Sequence, residues 1–261
     1  MHLNLQTCRA FAAALLLVGA GPTQATEPAS SGEWEFGLDA HLWGAAIGGE
    51  TPTGNEIDVS FRDILENLDF GLMAAAKAKK NKWSVVADII NLKIKADNGE
   101  NFKVPVGRFT APVEVDAKIV LKAWITTFGA GYNLVENDKW SLDLIGGARY
   151  LWLDATITLD AETKRLGRAL QPSGSKGNWD GIVGVNGNVQ FNDRWYLSYY
   201  GDVGAGDSDL TWAAQGILAY RFKKFDAYGG YRYMEWNDLS GNNAIKDLDL
   251  SGPILGARFK F

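Results

Sequence analysis

From residue 33 onward, apolar and polar positions alternate with period two, in runs of roughly 10 to 14 residues broken by turn residues. In Glu33 to Ile47, Trp34, Phe36, Leu38, Ala40, Leu42 and Gly44 share one face. Glu33, Glu35, Gly37, Asp39, His41 and Trp43 share the other. Successive side chains of a strand point to opposite sides, so the run has one greasy and one polar face. Asp69 to Lys79 and Lys82 to Lys93 read as a hairpin about Lys80-Asn81. That turn sets Ala78 opposite Trp83, Ala76 opposite Val85, Ala74 opposite Ala87 and Leu72 opposite Ile89, all on one apolar side, as a correct register requires.

Two runs, Val113 to Asn133 and Lys139 to Leu159, exceed the roughly 9–11 residues that cross a bilayer. Trp140, Leu142, Leu144, Gly146, Ala148, Tyr150 and Trp152 form an apolar row, but beyond Trp152 the apolar set becomes Leu153, Ala155 and Ile157. This inversion predicts a hairpin rising above the membrane with its apolar face turned inward. A β-bulge near Thr126-Thr127 is the alternative. Asn178 to Phe191, Trp195 to Val203, Leu210 to Phe222, Phe225 to Tyr233 and Leu255 to Phe261 repeat the simple alternation.

No stretch after residue 25 is apolar for long enough to form a membrane helix. Strands in hydrocarbon must pair every backbone group, so such strands close on themselves. The predicted fold is therefore all-β: a transmembrane antiparallel up-and-down barrel of about ten strands, with eight or twelve as alternatives. Short connections at 80–81, 135–138, 192–194 and 223–224 are expected on the periplasmic side. The connections at 48–68, 96–112, 160–176 and 238–247, with a shorter one at 206–209, are expected outside. A soluble β-sandwich also alternates, but it buries its apolar face and does not gather aromatics at strand ends.

Composition agrees with a membrane wall: the chain has 30 Gly, 10 Trp, 9 Tyr and 12 Phe. Arg9, the apolar run Ala10 to Ala20 and the small residues ending at Ala25 predict a secretory signal peptide over 1–25. A short periplasmic segment follows at 26–32, and the barrel occupies 33–261. The net charge of −5 argues against nucleic-acid binding, and losing Arg9 makes it one unit more negative. Past residue 25 there is no cysteine and one histidine, His41, so disulfides, thiolate chemistry and a zinc cluster are not expected, nor any cofactor.

The polar face supplies the candidate site. Glu35, Asp39, His41, Lys77, Asp88, Asp143, Arg149, Asp180, Asp202, Arg221, Arg232 and Arg258 are expected to line the lumen, with both charge signs filling it throughout. Ser60 and Asp63 have the spacing of a capping box, which predicts a short helix in the first outer loop. Phe61, Ile64, Leu65 and Leu68 would share its apolar face, packing into the barrel mouth and narrowing it. His41 is the one candidate for histidine catalysis, and would need a lumen serine such as Ser84, Ser141 or Ser198 beside it. Asp39 with Glu35 could serve as paired carboxylates. Asp238, Asp247 and Asp249 lack the spacing of a calcium loop, and no metal is expected.

The last residues, Gly256-Ala257-Arg258-Phe259-Lys260-Phe261, resemble the C-terminal signal of outer-membrane barrels, carried by Gly256, Phe259 and Phe261. The segment Ile57-Asp58-Val59-Ser60-Phe61-Arg62-Asp63-Ile64-Leu65-Glu66-Asn67-Leu68-Asp69-Phe70, after a Trp-rich first strand, is similar to a family of Gram-negative outer-membrane proteins of uncharacterised activity and about this length. The resemblance implies the outer membrane as location, with its lipid and lipopolysaccharide as surroundings. It also implies the barrel-assembly machinery as a partner during biogenesis, and it supplies no activity. Ten strands leave room for only a narrow water path. The expected function is accordingly a narrow, porin-like channel for ions or small polar solutes, or a structural barrel, and not an enzyme. The alternatives are a barrel-embedded outer-leaflet hydrolase centred on His41, and a surface adhesin acting through the loops 96–112 and 160–176.

Overall fold

Period-two alternation becomes an almost wholly extended chain. The computed structural model describes residues 32–50, 54, 56–97, 116–160, 174–239 and 245–261. The expected signal peptide and most of the loops 96–112 and 160–176 lie outside them. The strands are β1 (Glu35–Trp43), β2 (Ala46–Glu50), β3 (Glu56–Val59), β4 (Leu68–Lys80), β5 (Trp83–Asp97), β6 (Asp116–Glu136), β7 (Trp140–Asp160), β8 (Gly174–Gln190), β9 (Trp195–Gly206), β10 (Ser208–Arg221), β11 (Asp226–Leu239) and β12 (Asp247–Lys260). One helix, α1 (Phe61–Glu66), precedes β4.

From β4 to β12 each strand pairs antiparallel with the next, and β1 closes the ring by pairing with both β4 and β12. At the seam Phe36 and Phe261 exchange both backbone hydrogen bonds, at 3.1 and 2.9 Å. Since β2 continues β1 along β12, ten strands encircle the barrel, and β3 hangs from β2 as a hairpin partner. This extra hairpin falls largely in what the sequence reads as a loop carrying a short helix and no strand.

The first run does not continue unbroken to Ile47. It breaks at Gly44-Ala45, opposite Gly252-Pro253. The Pro253 carbonyl accepts from the Gly44 N–H at 2.8 Å. A strand residue aims its N–H and C=O the same way, so the donor that proline lacks is missing at this point. A Cβ on residue 252 would lie 1.9 Å from the Gly44 carbonyl oxygen, so this approach of backbones requires glycine. The last strand starts at Asp247 and not at Leu255, because Gly252-Pro253 lies within it, paired with Arg232 and Tyr231 of β11 without a register shift.

The β4–β5 turn is Asn81-Lys82, one residue later than the spacing predicts. The pairs are Ala78 with Val85, Ala76 with Ala87, Ala74 with Ile89 and Leu72 with Asn91. Asn81 has φ 54°, a left-handed conformation that asparagine tolerates better than lysine. A shift of two in pairing leaves every side chain on its own face, so the lipid side survives the correction. No bulge occurs at Thr126-Thr127. The β6–β7 register runs unbroken from Asp116 to Asn133, which leaves the projecting hairpin.

Trp34, Trp140 and Trp179 are 52, 41 and 50 % exposed, the reverse of a sandwich. Aromatics collect at both ends of the wall. Trp83 with Tyr132 and Trp195 with Tyr220 lie near the short turns, and Tyr150 with Trp179 and Trp212 with Tyr233 lie toward the other rim. A closed sheet with an apolar outer band between two aromatic belts spans a membrane, in the manner of outer-membrane barrels. No described helix is long and apolar enough to cross one.

Candidate functional site

The inward faces of the strands share one order along the barrel axis. From the short-turn end, β1 presents Glu35, Asp39, His41 and Trp43, and β7 presents Asp143, Ile145, Arg149, Leu151 and Leu153. On β11 the order is Asp226, Tyr228, Arg232, Met234 and Trp236. Charge comes first and grease follows. The interior is thus two-layered, which corrects the expectation of charges throughout.

The polar half encloses a vestibule of about 830 Å³ that opens past Glu33, Glu35, Lys79, Asn81 and Glu136 at the short-turn end. Most of its charges are paired. Arg258 grips Asp39 with Nε and Nη2 at 2.9 and 2.7 Å. Lys77 meets Asp143 at 3.0 Å, where Asn133 also donates at 2.7 Å. Lys260 and the Tyr196 hydroxyl converge on Asp226 at 2.5 and 2.6 Å. Arg221, near the mouth, donates to the Asp193 carbonyl and lies over the Tyr196 ring.

At the inner end of the vestibule, and partly lining it, stands a tier of charge. The Arg149 guanidinium donates to Thr211 at 3.0 Å, to Thr127 at 3.3 Å and to Asp202, which also accepts from Tyr200. Asp180 accepts from the Ser208 N–H at 2.9 Å. Arg232 pairs with Asp88 and lies over the Trp43 ring, 5.1 Å from its centre. Carboxylates removed from water need such partners, because an unpaired buried charge is far more costly than a paired one.

All twelve sequence-predicted lumen residues lie on the inward parity of their strands. His41 is buried, with its Nε2 3.8 Å from Asp88, and it makes no hydrogen bond to another described residue. Asp39 is engaged by Arg258 and not by Glu35, so the two carboxylates do not form a pair. Asp247 accepts from the Asp238 N–H and pairs with Lys246 at 3.4 Å. Sequence reasoning overlooked Lys79, Asp226 and Lys260, although all three belong to the polar sets of their strands, and Glu136, which a register shift between Asn133 and Val135 turns to the inner side. Tyr196 and Tyr200, on the inward parity of β9, bring their hydroxyls to the carboxylates Asp226 and Asp202.

Toward the outer rim the interior is filled with apolar side chains. Ile90, Leu151, Met234 and Trp236 retain at most 1 % of their surface. With Ile125, Ala213, Ile217, Leu250 and Ile254 they form one cluster across the lumen. The inversion at Leu153 is its sequence signature: the inward parity never changes, only its chemistry.

The helix α1 is capped as its spacing predicts. The Asp63 N–H donates to Ser60 Oγ at 3.3 Å, and Ser60 Oγ donates to Asp63 at 2.8 Å. It packs at the side of the barrel where β1 and β4 part company. Ile64 is buried, and Phe61 lies against Gly44.

No protein-family model matches the chain, and no curated protein does. Among solved structures, the translocator domain of the autotransporter NalP from Neisseria meningitidis is similar at 16% identity and a TM-score of 0.45, covering 89% of this chain and 90% of that one. Ail, the attachment invasion locus protein of Yersinia pestis, is similar at 12% identity and a TM-score of 0.37, over 87% and 98% of the two chains. The toluene transporter TodX of P. putida is similar at 9% identity and a TM-score of 0.33, over 89% and 90%.

Proposed function

We propose that the protein is a narrow outer-membrane channel for ions or small polar solutes, held closed in this conformation by its apolar layer. The observation that carries this reading is the charged vestibule of about 830 Å³ ending beneath the packed cluster of Ile90, Leu151, Met234 and Trp236. Paired charges of both signs suit small polar solutes without strong selectivity for one sign. A dry apolar constriction blocks ions by excluding water. The wild-type barrel in a planar bilayer is expected to be electrically quiet. An Ile125→Ser/Leu151→Ser variant, which admits water to the layer, is expected to show discrete conductance steps. If both stay silent while folded, the channel reading fails and a structural barrel replaces it.

The second reading, a barrel-embedded hydrolase, has His41 beside a carboxylate in its favour; His41 lines the vestibule, which would admit substrate from the short-turn end and not from the outer leaflet, and hydrolysis lost in His41→Ala would be its mark. The assembly machinery is proposed to read Gly256, Phe259 and Phe261. Phe259 and Phe261 are exposed on the outer face, which leaves them free to be read.

A further inference from the structure

The wall has one place where its hydrogen-bond ladder comes apart. β1 and β4 pair from Glu35–Lys79 to Ala40–Ala74 and no further. Beyond that height β1 and β2 stay on β12, while Leu68 to Met73 of β4 pair only with β5. The Trp43 N–H, which a continuing ladder would have paired with β4, donates to the thioether of Met73 at 3.0 Å. A thioether is a weak acceptor, used where no carbonyl is within reach. The seam falls at the end of the lipid-facing row of Phe36, Leu38 and Leu42, and Leu42 is 61 % exposed on the outer surface.

Behind the seam lies a cavity of about 150 Å³. Every residue lining it is apolar or glycine. Leu42 and Gly44 belong to the outward parity of β1, whereas Met73, Ile125 and Leu151 belong to the inner face. The cavity therefore runs through the wall, with Phe61, Ile64 and Leu65 of α1 closing it over. An apolar cavity of this size stays dry and accommodates a molecule such as benzene. Hydrocarbon at its mouth is supplied by the bilayer itself.

We infer that this seam is a lateral binding pocket for the end of a membrane acyl chain, which enters between β1 and β4 under α1 and stops against the apolar layer of the lumen. Acyl chains pack against Leu42 and Leu72 at all times, so the occupant needs no separate delivery. The apolar lining offers no hydrogen bond to a headgroup, which leaves the headgroup at the surface. The inference holds whether or not the lumen conducts.

The test reconstitutes the full chain in vesicles of phosphatidylcholine carrying a photoactivatable diazirine at the chain terminus, and maps the adducts by peptide mass spectrometry. Adducts are expected on the pocket residues Ile64, Met73 and Leu151, besides general labelling of wall residues such as Val183 and Leu218. Gly71→Leu fills the pocket, since a Cβ there meets its nearest neighbours, Leu92 and Leu68, at 3.5 and 3.6 Å. That variant is expected to lose the three pocket adducts and keep the wall adducts. Ala123→Leu is the second filling variant, and heat-modifiable migration verifies that both fold. Adducts confined to outward residues overturn the inference. So does pocket labelling by a free aryl diazirine with none from the lipid, which would assign the pocket to a small free hydrocarbon instead.

Discussion

Arg149 and Asp202 meet inside the barrel with side chains 1 and 0 % exposed. A guanidinium placed there is stabilised by Asp202, Thr211 and Thr127 and by the Trp236 ring beneath it, because water cannot replace them. Asp202→Ala removes the charge partner and is expected to lower folding stability by about 3–5 kcal/mol, the range for breaking a buried pair. Replacing both residues by Met and Leu of similar volume is expected to cost far less, since the charge leaves together with its partner. Urea titration of the folded barrel in lipid vesicles measures both, and near-equal losses would contradict the pairing. At this scale the sequence shows which side of its strand each residue takes, because parity alone decides that. It does not show that Arg149 finds Asp202, 53 positions away and across β8. That meeting depends on curvature and stagger, which no local spacing encodes.

Among the elements, the break between β1 and β2 has the clearest physical origin. Two features of β12 coincide there: Pro253 has no N–H to give, and Gly252 has no Cβ to hold the facing backbone away. Gly252→Ala would drive a methyl to within 1.9 Å of the Gly44 carbonyl oxygen. The ladder must then separate further, with an expected loss of about 1–3 kcal/mol, typical of overpacking. Hydrogen exchange of the Gly44 amide, which donates to Pro253, should accelerate more than that of amides in β9 and β10. Uniform exchange across the sheet would contradict the assignment. Gly252-Pro253 reads in sequence as a strand boundary, since both residues are breakers elsewhere; only the pairing with β11 keeps them inside β12. The α1 cap, by contrast, is legible, because Ser60 and Asp63 need nothing beyond each other and the local backbone.

For the molecule as a whole, the two-layered interior makes the barrel, among the described residues, a cup that opens on the side of the short turns. The inversion at Leu153 carried this information, since an apolar inward face on a projecting hairpin needs something apolar to meet. What was missing from the sequence was the matching layer on other strands: Ile90 looks like an ordinary member of its run, and Met234, Trp236 and Leu250 fall beyond the runs that alternation marks out. Sidedness follows from the cup. Ser198 lines the vestibule, and the chain's single cysteine, Cys8, lies in the segment 1–25. A Cys8→Ser/Ser198→Cys barrel inserted in vesicles, with its orientation fixed by protease access to the turns, should react with a charged, membrane-impermeant maleimide supplied on the turn side. The same reagent on the loop side should leave the thiol unmodified, because a charged molecule cannot cross the layer formed by Leu151, Met234 and Trp236. Adding Ile125→Ser/Leu151→Ser to this background should restore reaction from the loop side if the apolar layer is the barrier. Reaction from both sides without those changes would mean that the cup has a second opening, and the closed conformation would have to be abandoned.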